Sequence, residues 1–182
     1  MTDGANNREG PAASALVHAT SIVLGKACIP FGGAVDGAVL LLGASGSGKS
    51  DVALRLIGMG AQLLSDDQTL LLAESGRLFA EAPRSVYGRM EIRGVGIVAL
   101  ESAKRAGIIL AVMLDATGAA PRLPEPLRYT LPETLAAVEA PPLLYLPPFE
   151  ASTPAKIAAT AAALARSTFV AGLVSPSSRP FF

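Results

Sequence analysis

The sequence predicts an α/β layered domain, and three observations predict it. The two longest apolar runs, "AVLLLGA" and "GIILAVML", have the aliphatic density of strands buried on both faces. Helical spacing appears in separate stretches, one after the first run and one near the C-terminus, so strands alternate with helices. A glycine-rich turn, "GASGSGKS", joins the first buried run to the first helix.

The 182 residues suit one domain. A chain of this size hides roughly 70% of its unfolded surface, enough for a substantial core. Apolar residues make up 51% and charged residues 16%, a balance that argues against disorder for most of the chain. The mean hydropathy of +0.45 is high, yet both apolar runs fall far short of the ~20 residues that span a bilayer. The start, "MTDGANNREG", lacks the charged-then-apolar pattern of a secretory signal. A single cysteine, Cys28, excludes an internal disulfide and a zinc cluster. Fifteen basic residues balance fifteen acidic ones without clustering, against a nucleic-acid-binding surface. A cytoplasmic protein with neither a membrane nor a nucleic-acid partner is expected.

The elements follow in order. Residues 1–14 read as a disordered tail, 15–172 as the folded domain and 173–182, ending "SPSSRPFF", as a loose C-terminal tail. "ALVHATSIVL" reads as one strand, and "GKACIPFGGAVDG" as a hairpin or loop. "AVLLLG" is a buried strand with a glycine stop. Residues 50–57 carry helical spacing through Val52, Leu54, Leu56 and Ile57, stopped by Gly58 and Gly60. "AQLLSDD" is a short strand ending in acids. "TLLLAE" and "GRLFAEAP" flank a Ser-Gly turn as hairpin partners. "YGRMEIRGVGIVAL" mixes glycine with β-formers, and "AGIILAVMLDA" is another buried strand. "APRLPEP" is a proline-rich surface loop, and "PPLLYLPPFEAS" holds a last short strand. Pro154 opens an Ala-rich helix to about Phe169, with Ser152 or Thr153 as its cap.

Gly43, Ala44, Ser45, Gly46, Ser47, Gly48, Lys49 and Ser50 satisfy G-x-x-x-x-G-K-[ST] at every defined position. The glycines let successive backbone amides turn inward around phosphate oxygens, and the helix that follows adds its positive end. Lys49 reaches the outer phosphates, and Ser50 offers a hydroxyl to magnesium. Nucleotide binding is the implied chemistry.

Phosphoryl transfer also needs a metal partner and a group for the acceptor's proton. Asp115, ending "ILAVMLD", has the look of an ordinary Walker B acid, whereas Asp66 and Asp67 end "QLLSDD". Residue physics leaves that choice open. Adjacent strand residues face opposite sides, so both acids of the pair reach one phosphate only if the strand ends there. Two close carboxylates would also raise one pKa, which suits a proton acceptor. "EIRGVG", from Glu91 to Gly96, sets a carboxylate and a guanidinium beside pliant backbone; its plainest reading is an exposed ion pair in a turn.

Taken together, "GASGSGKSDVALRLIGMGAQLLSDDQ" and "MEIRGVGIVAL" resemble the catalytic domain of HPr kinase/phosphorylase, in order and spacing, from about His18 to the C-terminal helix. The resemblance implies a P-loop kinase domain with a mixed central sheet and flanking helices, in a short form without the family's N-terminal domain. It implies an ATP-dependent serine kinase that modifies HPr or an HPr-like phosphocarrier. Phosphate-dependent removal of that phosphate is left open, because "PPFEASTPAKI" offers no counterpart of the arginine-containing loop tied to dephosphorylation.

By the same resemblance Asp67, beside Asp66, is the catalytic acid, and His18 is the active-site histidine. Lys49 neutralises phosphate, Ser50 and Glu91 hold Mg2+, and Arg122 stabilises charge on the transferred phosphoryl. A homo-oligomer is expected, with the family's hexamer as one form. Two rivals stand beside this reading. One is a small-molecule kinase of guanylate-kinase type, whose loop is similar but whose Arg-rich acceptor region is missing here. The other is a non-catalytic NTP-binding switch.

Overall fold

A computed structural model describes residues 13–25, 28, 35, 37–118, 120–169 and 171–173. Of the tails expected over 1–14 and 173–182, residues 1–12 and 174–182 lie outside the described residues, as does most of the loop expected over 25–37; Ser14 already belongs to a strand and Leu173 is buried, so the folded part reaches into both expected tails.

The chain runs β1 (Ser14–His18), β2 (Thr20–Val23), β3 (Ala38–Leu42), α1 (Lys49–Gly58), β4 (Gln62–Ser65), β5 (Gln68–Glu74), β6 (Arg77–Glu81), β7 (Arg89–Ile92), β8 (Gly96–Ala99), β9 (Arg105–Leu114), β10 (Leu143–Leu146) and α2 (Thr153–Arg166). A 3-10 turn, Glu133–Leu135, precedes β10. The main sheet has the order β1-β5-β6-β9-β3-β2-β4, with β10 also paired to β9; β7 and β8 form a separate hairpin. The sheet is mixed: β3 and β10 run parallel to β9, and the other pairs are antiparallel.

β9 organises this sheet because it is long. Its first residues pair with β6, as in Phe79 opposite Gly107, and its last four pair with β10, as in Leu146 opposite Leu114. β3 occupies its other edge along most of its length. All five residues of β3 are buried, as its unbroken aliphatic run predicts. Val39 and Leu41 join a core with Val52 and Leu56 of α1 and Ile157 and Ala161 of α2. Leu40 and Leu42 face the other way, into a cluster with Leu71, Leu78 and Leu135. The helices therefore cover one face. The other is closed by the curl of β5 and β6 and by the segment around the 3-10 turn, where flanking helices were expected without a side being assigned.

Three local expectations are corrected. "ALVHATSIVL" is two strands, split at Ala19: β1 pairs with β5, whereas β2 pairs with β3 and β4. The apolar content is continuous across the break, so composition alone does not reveal it. Leu54 faces solvent, and the buried stripe of α1 is Lys49, Val52, Ala53 and Leu56. Neither Ser152 nor Thr153 caps α2 with its side chain. Ser152 Oγ turns to Glu150 Oε2, Thr153 Oγ1 donates to Pro147 O at 2.6 Å, and the helix stops at Arg166 with Ser167 in a left-handed conformation.

Among the described residues no helix is long and apolar enough to cross a membrane.

Candidate active site

The glycine-rich loop leaves the C-terminal end of β3 and enters α1 at Lys49. Its conformation requires the glycines at two points in particular. Gly43 has φ +142, and a Cβ there would lie 2.4 Å from Ser47 Oγ and 3.0 Å from Leu114 O. Gly48 has φ +91, and a Cβ there would lie 2.9 Å from Pro148 Cβ. L-residues rarely adopt such backbone angles, so both positions are closed to side chains on two counts. Inside the curve, Ser47 Oγ is buried and has no hydrogen-bond partner among the described residues. An orphaned hydroxyl in a cradle of amides fits a ligand rich in oxygen acceptors.

Lys49 lies on the buried side of α1, 6% exposed. Its ammonium donates to Gly43 O and Ala44 O, both at 3.0 Å, and stands 2.9 Å from His18 Nε2. Burial holds its pKa below the ordinary lysine value, and the negative charges of Asp67 and then Asp66 push back.

The two acids separate because the strand ends between them and the loop. β4 stops at Ser65 and β5 begins at Gln68, so Asp66 and Asp67 form the whole turn, and Asp67 takes φ +63. Aspartate accepts this left-handed conformation more readily than most residues. Asp66 turns inward and is 6% exposed. Its Oδ1 accepts from Ser50 Oγ at 3.0 Å and from Thr20 Oγ1 at 2.9 Å; its Oδ2 accepts from the Glu91 amide at 3.1 Å. Asp67 turns outward, its side chain 67% exposed, with Oδ1 3.1 Å from His18 Nδ1. The β1–β5 register sets this pair, since His18 lies opposite Gln68, the residue after Asp67.

The structure thus gathers His18 from β1, Lys49 and Ser50 from α1, and Asp66 and Asp67 from the β4–β5 turn. Glu91 joins through its backbone, while its side chain is exposed on β7. No ion pair forms between Glu91 and Arg93; the hairpin β7–β8 runs through this stretch instead. Arg122 is exposed on the loop between β9 and β10, and no hydrogen bond or ion pair ties it to the gathered residues. Asp115 is engaged locally. Its Oδ1 accepts from the Thr117 amide at 2.8 Å and hydroxyl at 2.6 Å, and these bonds hold its pKa below the usual carboxylate value. It is Asp66, not Asp115, that is bonded to Ser50 of the loop.

Thr20 went unnoticed in the sequence. It lies two residues after His18, bonds Asp66 with its hydroxyl, and accepts from the Asp67 amide at 3.3 Å. A buried polar residue inside an apolar strand, at the same period as the histidine, was the available signal.

Residues 34–109 match the family model for the HPr serine kinase C-terminal domain. Among curated proteins, the HPr kinase/phosphorylase of Clostridium botulinum is 40% identical over 60 residues, 33% of this chain and 20% of that protein. The HPr kinase/phosphorylase of Brevibacillus brevis is 39% identical over 72 residues, 39% of this chain and 23% of that protein. The match therefore spans about a fifth of the length of these relatives. Among solved structures, the Hpr(Ser) kinase/phosphatase from Coxiella burnetii superimposes with a TM-score of 0.64 at 25% identity, over 85% of this chain and 97% of that one.

The chain is similar to the HPr kinases in sequence and in fold. The resemblance carried by the two signatures holds, and so does the expected α/β kinase-domain architecture with a mixed sheet. These matches favour neither a guanylate-kinase-like enzyme nor a non-catalytic switch.

Among the described residues no three His, Cys, Asp or Glu side chains gather as a protein-only metal site. Magnesium in phosphoryl-transfer sites is held by one or two carboxylates together with substrate phosphates. The oxygen donors Ser50 Oγ and Asp66, with Glu91, whose own backbone amide donates to Asp66, have the right chemistry for such a cation.

Proposed function

We propose that this chain is an ATP-dependent protein serine kinase acting on HPr or an HPr-like phosphocarrier. The observation that carries the reading is the unbroken line from the phosphate loop to an exposed carboxylate. Lys49 Nζ is 2.9 Å from His18 Nε2, and His18 Nδ1 is 3.1 Å from Asp67 Oδ1. An ammonium only donates, so Nε2 accepts and the ring proton sits on Nδ1, where it donates to Asp67. One oxygen of Asp67 is thereby engaged and the other is left for an incoming hydroxyl.

In the proposed reaction the seryl oxygen bonds to the γ-phosphorus of ATP, the bond to the β,γ-bridging oxygen breaks, and ADP leaves. The seryl proton passes to Asp67, while Lys49 offsets charge on the phosphates. His18 keeps Asp67 oriented between turnovers. Ser50, Asp66 and Glu91 are the residues that would hold Mg2+, which when bound would supply neutralisation of phosphate charge. Arg122, exposed on the loop between β9 and β10, belongs to the proposal as the cation that stabilises charge on the transferred phosphoryl. Should the chain also remove the phosphate, an oxygen of inorganic phosphate bonds to the seryl phosphorus, the seryl O–P bond breaks, the protonated Asp67 returns its proton to the seryl oxygen, and pyrophosphate leaves. The exposure of Asp67 supports a protein substrate, since a folded partner reaches an outer carboxylate more readily than a buried one. The proposal includes a homo-oligomer, with a hexamer as the form the resemblance suggests, working in the cytoplasm without nucleic-acid or membrane partners.

The test is incubation with ATP, Mg2+ and the HPr protein of the same genome, followed by mass spectrometry. A single phosphoserine on HPr is expected. Phosphorylation of GMP in place of HPr, or nucleotide binding with no transfer to any HPr-like protein, overturns the reading.

A further inference from the structure

The segment joining β10 to α2 is braced along its length. Arg55 reaches it from α1: Nη1 donates to Glu150 O at 3.0 Å and Nη2 to Pro148 O, while Asp51 holds the same guanidinium at 2.8 Å. Thr153 Oγ1 fixes Pro147 O at 2.6 Å, and Lys156 pairs with Glu150. Yet the large side chain in this braced segment, Phe149, is 66% exposed. A ring left in water forgoes the burial that normally stabilises it. A ring held in water by a fixed backbone is available to a ligand.

Its position is specific. A Cβ on Gly48 would lie 3.2 Å from Phe149 Cε1 and 3.3 Å from Cζ, so the ring edge rests against the last glycine of the phosphate loop. The amides of that loop and the Lys49 ammonium can recognise only a phosphate chain. A nucleoside triphosphate also carries a flat aromatic base, which must lie outside the loop and close to it.

We propose that Phe149 is the stacking platform for the base of the bound nucleotide. The proposal rests on the nucleotide-binding reading of the loop and adds to it the residue that receives the base. Stacking suits this position because it needs only a fixed π face, and Arg55 and Thr153 fix the backbone that presents it.

The chain contains no tryptophan, so Phe149→Trp introduces a lone indole at the platform. Titration with ATP should quench that indole, whereas inorganic tripolyphosphate should bind by calorimetry without quenching it. Phe149→Ala should weaken ATP binding by roughly 5- to 100-fold and leave tripolyphosphate affinity unchanged, with a parental melting curve. If Phe149→Ala weakens both ligands equally, the ring only packs the loop and the proposal falls. If it spares ATP but raises the KM for HPr, the ring serves the protein partner and the proposal again falls. If the parent chain binds neither ATP nor tripolyphosphate, the loop reading itself fails and the platform with it.

Discussion

Asp66 and Asp67 are consecutive, yet they belong to different parts of the site. Asp66 forms its floor: it is buried and accepts from Ser50, Thr20 and the Glu91 amide. Asp67 forms its rim: it is exposed, and its oxygen meets His18. The floor is built like a structural network, in which every donor has its acceptor, and the rim is built like a reactive group, with an oxygen left over. The positive φ at Asp67 keeps the two at one site but at different depths, because an extended backbone would send neighbouring side chains to opposite faces of the sheet. Paired acids beyond a phosphate loop are therefore not duplicates; a single backbone angle assigns one to hold and the other to act.

Lys49→Ala gives the largest expected effect because it removes the cation shared by floor and rim. ATP binding by calorimetry should be lost, and phosphoserine formation with it. Unchanged ATP affinity would mean that the loop does not take phosphates.

Asp67→Asn separates rim from floor. It should leave ATP affinity near the parental value and slow transfer to HPr by about 10²–10⁴-fold, the usual loss for a general base. Its melting temperature should barely move, since the Asn Oδ1 can still accept the exposed hydrogen bond from His18 Nδ1. Parental transfer by this variant would remove Asp67 from the chemistry.

Asp66→Ala probes the floor through stability. Two hydroxyls and an amide lose their acceptor, at a cost of about 3 kcal/mol. For a domain of this size that is a fall in Tm on the order of 10 °C. A parental Tm would show that the network is not structural and would erase the contrast between the acids.

Asp115→Asn should do least. The amide oxygen can still accept from Thr117 in the local turn, so melting temperature and transfer should both stay near parental. A dead Asp115→Asn beside an active Asp67→Asn would restore Asp115 as the metal-site acid.

The loop, the helix after it and the strand before it were legible because their residue types are dictated locally: glycine where φ is positive, and aliphatics where a strand is buried twice. The turn at Asp66 and Asp67 was legible only as a condition, that the strand must end there. The meeting of His18 with Asp67 was not readable from spacing, because it depends on β1 pairing with β5 across some fifty residues. The split at Ala19 was hidden for the same reason: β1 and β2 read as one apolar run and are told apart only by their partners and the burial those partners impose. Leu54 misled because leucine signals burial, while Lys49, a residue type rarely buried, takes the inward position on α1.

That placement of Lys49 has a consequence for how the chain tolerates insertions. The lysine heads the row that continues through Val52, Ala53 and Leu56, so the apolar residues that seat α1 also aim the ammonium. An α-helix turns by about 100° per residue. One alanine inserted between Ser50 and Val52 would let Val52 and Leu56 keep their seats while swinging Lys49 roughly a quarter-turn away from Gly43 and Ala44. Such a chain should fold and melt as a compact domain, yet hold no phosphate. The same insertion after Gly58, beyond the last buried residue of the helix, should leave the lysine where it is.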